Sequence, residues 1–222
     1  MAEIAVRQAD PTLDEIRLQL APEIAVAAVF DGWSETALDS AAQANGIDPD
    51  VARFAFPDGA MGMIGAWIES IDRAMERAFT PETIAAMPIR ERIRALVLFR
   101  LKELGKAEEA LRRALAIQTL PQNIAQSVKN AWSSADVMWR LAGDRATDYN
   151  HYSKRAILAS IYAATLAVFV EDETMDKAET RAFLDRRIEG VMRFEKAKAR
   201  LFRDRETFSV VRFLGRLRYP AR

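Results

Sequence analysis

The single histidine of the chain, His151, sits in the run Asp148-Tyr149-Asn150-His151-Tyr152-Ser153-Lys154-Arg155, which mixes aromatic, amide and charged side chains. An imidazole can ligate a metal or relay a proton, but both roles need carboxylate or imidazole partners within reach. The acidic cluster Glu171-Asp172-Glu173 lies about five to six helical turns further along the same segment, which is too far, and reads as a solvated helix end. The sequence contains no cysteine, so thiolate ligands, a cysteine nucleophile and disulfides are excluded. What the spacing does supply is a face: Asp148, His151, Tyr152 and Arg155 stand at i, i+3, i+4 and i+7 and share one side of a helix. Tyrosine and arginine on one face suit a protein docking surface. The plainer alternative is an acid at a helix start and an arginine in solvent.

Other catalytic signatures are missing. There is no phosphate-binding loop, no Gly-x-Gly-x-x-Gly and no Gly-x-Ser-x-Gly. Gly59, Gly62 and Gly65 recur at three-residue intervals inside a helical segment, where they allow helices to approach closely. The chain reads as a non-enzyme without a metal.

The elements that must position these residues are helical throughout. Half of the 222 residues are hydrophobic and 29% are charged, enough for a sizeable core. Glycine and proline are sparse and fall between segments whose apolar residues recur every three or four positions, which predicts an all-α bundle of about ten helices. Thr12 with Glu15 forms a capping box that opens a helix to about Val29. Further helices are predicted over 34–44, from a cap at Asp48 and first-turn Pro49 to Phe56, over 60–79, and from Thr80 to an interruption at Pro88. The series continues over 89–104, 107–118, 121–141, 149–170, 175–202 and 207–219. Composition divides the chain into a head (1–58), a body (59–203) and a tail (204–222).

Charge follows the same division. Up to Asp58 there are three basic residues against eleven acids, and from Arg186 onward twelve basic residues against four acids. An anionic partner is therefore expected at the C-terminal end. No uncharged run exceeds fifteen residues, the length of Ala156 to Val170, which is short of the roughly 20 of a spanning helix, and the N-terminus carries acids where a signal peptide has bases. The expectation is a cytoplasmic protein.

The first three helices have the lengths of a helix-turn-helix, and the stretch from Phe30 to Ile47, with Phe56-Pro57-Asp58-Gly59 after it, resembles the DNA-binding head of TetR-type regulators. A DNA-reading helix needs Lys and Arg to neutralise phosphates. Here the third helix carries only Asp48, Asp50 and Arg53, and Glu35 and Asp39 add to the negative balance. The head reads as degenerate and structural, with no nucleic-acid partner.

The runs Trp139-Arg-Leu-Ala-Gly-Asp144, Thr147-Asp-Tyr-Asn-His-Tyr-Ser-Lys-Arg-Ala-Ile-Leu-Ala-Ser-Ile-Tyr162 and Phe183-Leu-Asp-Arg-Arg-Ile188 resemble the lipid-binding accessory family of coenzyme Q (ubiquinone) biosynthesis, and the resemblance covers nearly the whole chain. The resemblance implies a TetR-like fold without DNA binding and no catalysis or cofactor. It also implies a homodimer, an isoprenoid or phospholipid-like ligand in a helical cavity, and presentation of polyprenylated intermediates to the demethoxyubiquinone hydroxylase, a di-iron enzyme. It assigns Asp148, Asn150, His151, Tyr152 and Arg155 to partner binding. One departure is His151 itself, which stands where a bulky aromatic is expected. A second reading, a TetR-type ligand-responsive transcriptional regulator, would use the same cavity for an effector.

The residues offer their own version of that cavity. After its polar start, the 149–170 helix is uncharged for four turns and carries many small side chains. Such a helix is buried all round. With Leu158, Ile161, Tyr162 and Phe169 on it, and Trp67, Phe99, Trp132 and Trp139 on neighbouring helices, it can line an elongated apolar site. The alternative is an ordinary close-packed helix.

In the tail, Val210, Phe213, Leu214 and Leu217 gather in a sector of about 100° flanked by Arg212, Arg216 and Arg218, the pattern of a helix lying in an anionic membrane interface. Burying four such side chains is worth roughly 6 to 8 kcal/mol before entropy. The tail can instead pack on the body or on a second copy. By analogy with the fold, dimerisation would use the helices over 149–170 and 175–202, and the protein would sit on the inner face of the cell membrane.

Overall fold

The computed structural model describes residues 11–144 and 149–206, with the backbone alone at 149–150 and 195–206. Ten α-helices and no strand are found among the described residues: α1 (Leu13–Asp31), α2 (Glu35–Ala44), α3 (Pro49–Ala55), α4 (Gly59–Ala78), α5 (Pro81–Ala85), α6 (Ile89–Leu104), α7 (Glu108–Gln118), α8 (Ile124–Leu141), α9 (Tyr149–Glu171) and α10 (Ala178–Glu206). The all-α expectation holds. The last predicted helix, 207–219, lies outside the described residues.

Local chemistry starts these helices where the sequence placed them. Thr12 Oγ1 accepts from Glu15 N at 3.3 Å, while the Glu15 carboxylate accepts from Thr12 N at 2.8 Å. Hydrogen bonds from the Thr12 backbone N–H and hydroxyl hold the Glu15 carboxyl below its usual pKa. Ser34 caps α2, and Asp48 caps α3 through Asp50 N. Gly46 sits at φ +66° between them, a conformation in which a side chain would be strained.

The compositional break near Asp58 does not interrupt packing. A single hydrophobic core runs from Ile16 and Leu20 of α1 through α4 and α6 to Leu184 of α10. Trp33, in the head, donates its indole N–H to the Ala110 carbonyl of α7 at 2.9 Å, and its ring lies 5.3 Å from that of Trp67.

Helix α9 is the axis of the C-terminal half, packed against α6, α7, α8 and α10. Its segment His151–Glu171 is long and apolar enough to cross a membrane by length and composition, which the count of uncharged residues alone did not indicate. In this fold Leu158, Tyr162, Thr165 and Phe169 are buried against the neighbouring helices, while Ala156, Ser160, Ala163 and Ala167 form an exposed stripe. The next helix starts later than its periodicity predicts. A 3-10 turn at Met175–Lys177, with Asp176 and Lys177 at positive φ, precedes α10. Asp172 organises that corner, so the acidic cluster is not uniformly solvated: Glu171 and Glu173 are exposed, whereas Asp172 is buried.

Candidate functional site

Helices α4, α6, α7, α8 and α9 enclose a cavity of about 400 Å³. Its deep walls are Ile64 and Trp67 of α4, Leu104 of α6, Leu111 and Ala114 of α7, and Tyr162 of α9, all buried. Its rim is set by Ile124 and Val128 of α8, which are 51% and 62% exposed, with Ala163 of α9 opposite. Small side chains at the helix contacts leave the space open. At Gly65 an added Cβ would meet only Asn130 Nδ2 of α8, at an ordinary contact distance of 3.9 Å.

Of the residues expected to line one site, Trp67 and Tyr162 do line this cavity. Trp139, Leu158 and Ile161 instead line a separate groove of about 210 Å³ on the other side of α9, with Ile93 of α6 and Ile188 and Met192 of α10. Three line neither. Phe99 packs edge-on against Phe79 at 5.6 Å; Phe169 is buried under Gly105 and the Lys177 ammonium; Trp132 lies 6.2 Å from Tyr152. The single elongated site therefore resolves into two, because α9 presents one flank to α8 and the other to α10. Periodicity shows which residues share a flank but not which helix each flank meets.

The deep end holds polar groups that the sequence reading missed. Arg100, 1% exposed, donates through Nη1 to Asp72 and through Nη2 to Ser134 Oγ at 2.9 Å; Ser134 Oγ in turn donates to Asp72 at 3.3 Å. The Tyr162 ring lies 5.1 Å from the guanidinium. The signal was present: Arg100 follows Ile93, Leu96 and Val97 on the apolar face of α6, and Asp72 falls on that of α4.

The proposed docking face is only partly a surface. Tyr152 is 61% exposed and its ring lies 5.1 Å from that of His151. Arg155 is corrected from a surface residue to a buried one. It donates to Asp136 at 2.5 Å, to Asp144 at 3.1 Å and to the His151 carbonyl at 3.1 Å. Lys154 reaches the same Asp144 at 2.7 Å, and Trp139 Nε1 donates to the Lys154 carbonyl at 3.0 Å. The Trp139-to-Asp144 motif thus fastens the end of α8 to the start of α9. Asp148 and the side chain of Asn150 lie outside the described residues, as do Val210, Arg212, Phe213, Leu214, Arg216, Leu217 and Arg218 of the tail.

In the head, Arg53 donates to Asp39 at 2.6 Å and to Asp50 at 2.6 Å. These contacts, chiefly that to Asp39, raise its already high pKa. Phe54 on the same helix is 73% exposed. Among the described residues no group of three or more His, Asp or Glu side chains can hold a metal ion.

A helix-turn-helix head fused to a helical body defines a TetR-like fold. A crystal structure of a TetR transcriptional regulator from Nitrosomonas europaea superposes with a TM-score of 0.60 over 80% of this chain and 96% of that one, at 20% sequence identity. Sequence comparison is more specific. Residues 124–195 match the COQ9 family. The human mitochondrial ubiquinone biosynthesis protein COQ9 is 32% identical over 168 residues, 72% of this chain and 52% of that protein. The rat protein is 44% identical over 100 residues, 45% and 32% of the two chains, and the Schizosaccharomyces pombe protein 26% identical over 158 residues, 71% and 62%. This chain spans about half the length, or less, of the human and rat relatives it matches. It resembles the COQ9 family of ubiquinone biosynthesis, on a TetR-like fold.

Proposed function

We propose that this chain acts in ubiquinone biosynthesis as a non-catalytic lipid-binding protein, which takes up polyprenylated intermediates and presents them at a membrane to the hydroxylase that modifies their ring. The observation that carries this reading is the cavity of about 400 Å³ with an apolar lining and an exposed apolar rim at Ile124 and Val128. Pockets of this size bury a drug-sized molecule, so the cavity takes one end of a long lipid and the rest leaves by the rim. The relatives named for ubiquinone biosynthesis support the pathway. Exposed Tyr152, with Trp132 and His151 beside it, is one anchor for the hydroxylase, on a docking face that also takes in Asp148 and Asn150. The exposed small-residue stripe of α9 beside α10 is the proposed homodimer face. The basic C-terminal end supplies peripheral attachment to anionic lipid, on the inner face of the cell membrane.

The test is direct. Organic extraction and mass spectrometry of the purified chain should yield a co-purifying isoprenoid, and Ala131→Phe, which fills the cavity wall, should remove it while the protein stays folded. An empty wild-type protein that also fails to take up added prenylated quinone would overturn the reading. The transcriptional alternative has the fold in its favour, but in this head the single arginine of α3 is already held by two aspartates. A gel shift in low salt should show no DNA binding.

A further inference from the structure

We propose that residues 3–8 of this chain form a strap that turns back at Pro11 and lies along α1, in a groove between the head and the body. The groove, about 540 Å³, is walled by α1, by α4 and by the turn that follows α6. It is separate from the cavity described above, and Trp67 is the one residue that lines both.

Three features of the groove suit a peptide segment. Its floor is apolar and buried, made by Ala25, Trp67, Ile71 and Ala107, while Pro22 and Val26 stand exposed at its edge. Pro22, inside α1, has no N–H to give the Leu18 carbonyl one turn before it, and both residues line the groove. A backbone N–H running past supplies that donor, which a purely apolar occupant does not. Charge at the edges is unbalanced as well. Arg73 pairs with Glu69 and Glu76, and Lys106 with Glu103, which leaves Arg77 of α4 as a cation without an ion pair among the described residues. The occupant is therefore an apolar stretch of backbone with an acid beside it.

The segment ahead of α1 has that composition and the length to reach. Residues 1–10 lie outside the described residues and join the helix through Pro11. On α1 the groove stripe of Val26, Pro22 and Leu18 recurs every four residues, and one more step back gives Asp14, in the first turn. The stripe thus leads to the end of the helix where the chain enters. Val6 and Ile4 stand five and seven residues before Pro11, about 16 to 23 Å away in extended chain. Pro22 and Val26 stand eleven and fifteen residues after it, about 16 to 22 Å away along a helix. A strap running antiparallel to α1 therefore sets Val6 opposite Pro22 and Ile4 opposite Val26. β-branched residues at alternate positions favour extended chain and share one face of it. The other face carries Glu3 and Arg7, which leaves Glu3 for Arg77 and Arg7 for the exposed Glu23 of α1. Because Trp67 also walls the cavity, a seated strap backs that wall from the head side without entering the ligand site.

The chain has no cysteine, so single pairs can be introduced into the full-length protein. Oxidation of Ile4→Cys with Val26→Cys should give a disulfide within one chain, whereas Ile4→Cys with Tyr152→Cys, at the exposed start of α9, should give none. Arg77→Glu should lower the yield of the first pair several-fold, and adding Glu3→Arg should restore it. In the unsubstituted chain, hydrogen exchange at residues 4–8 should be slowed about tenfold relative to a free peptide of residues 1–10. Exchange as fast as that of the free peptide, equal cross-linking to both positions, or a yield indifferent to the charge swaps would overturn the strap. Disulfides that join two chains and grow with concentration would overturn it in favour of a second copy on the groove.

Discussion

The Arg155 guanidinium lies 3.1 Å from the Asp144 carboxylate, with the two side chains only 3% and 6% exposed. A helical wheel places Arg155 beside Tyr152, yet the two do different work: one side chain fastens α8 to α9 and the other faces solvent. Arg155→Ala should cost about 2 to 3 kcal/mol, since it strips charged hydrogen bonds from buried Asp144 and half-buried Asp136, which keep only Lys154 and Arg140 as partners. Tyr152→Ala should change stability by less than about 1 kcal/mol and, on the docking reading, weaken the hydroxylase interaction. Urea unfolding of both variants separates the roles; equal stability loss would contradict the assignment.

Asp172 makes acid stability readable. Burial alone would raise its pKa, but hydrogen bonds from the side chains and backbone N–H groups of Thr174 and Thr180 outweigh burial and hold the carboxyl well below the usual carboxylate range. A folded-state pKa below the unfolded one stabilises fully above the unfolded value, about 3.9, and that contribution disappears as pH falls towards the folded value. Asp172→Asn should therefore unfold more readily at pH 7 and show a flatter loss of stability between about pH 5 and pH 2. Denaturant midpoints across that range test it; a parallel pH profile in wild type and variant would refute the role.

The head and body should unfold together. Trp33→Phe removes the hydrogen bond to Ala110 and leaves a carbonyl less well satisfied, a cost of about 1 to 2 kcal/mol. Circular dichroism and fluorescence should report one shifted transition. Two separated transitions would show that the head is an independent unit despite the continuous core.

Gly105 provides a packing test. An added Cβ would stand 3.0 Å from Phe169 Cζ, tighter than ordinary contact, although the backbone there is right-handed helical and tolerates alanine. Helix propensity would favour alanine by up to about 1 kcal/mol, while overpacking costs about 1 to 3 kcal/mol. Gly105→Ala should thus destabilise by about 1 kcal/mol, and adding Phe169→Leu should cost less than the sum of the two changes. Strict additivity in thermal or urea unfolding would argue against the contact.

The sequence by itself determined the helices and the electrostatic character of the ends. Capping at Thr12, Ser34 and Asp48 and the three-and-four spacing of apolar residues are local properties, so the boundaries of α1 to α9 follow with small shifts. The resemblance carried by the runs from Trp139 to Ile188 was legible because their motif residues are close together in the chain, and the family match over 124–195 contains them. Tertiary structure decided what each face touches. It divided the expected site between two flanks of α9, withdrew Arg155 and Asp172 from solvent, and brought Asp72, Arg100 and Ser134 together across gaps of 28 and 34 residues. A helical period fixes the direction of a side chain relative to its own axis, whereas burial and pairing depend on how separate axes pack, and that is settled only when the whole core closes.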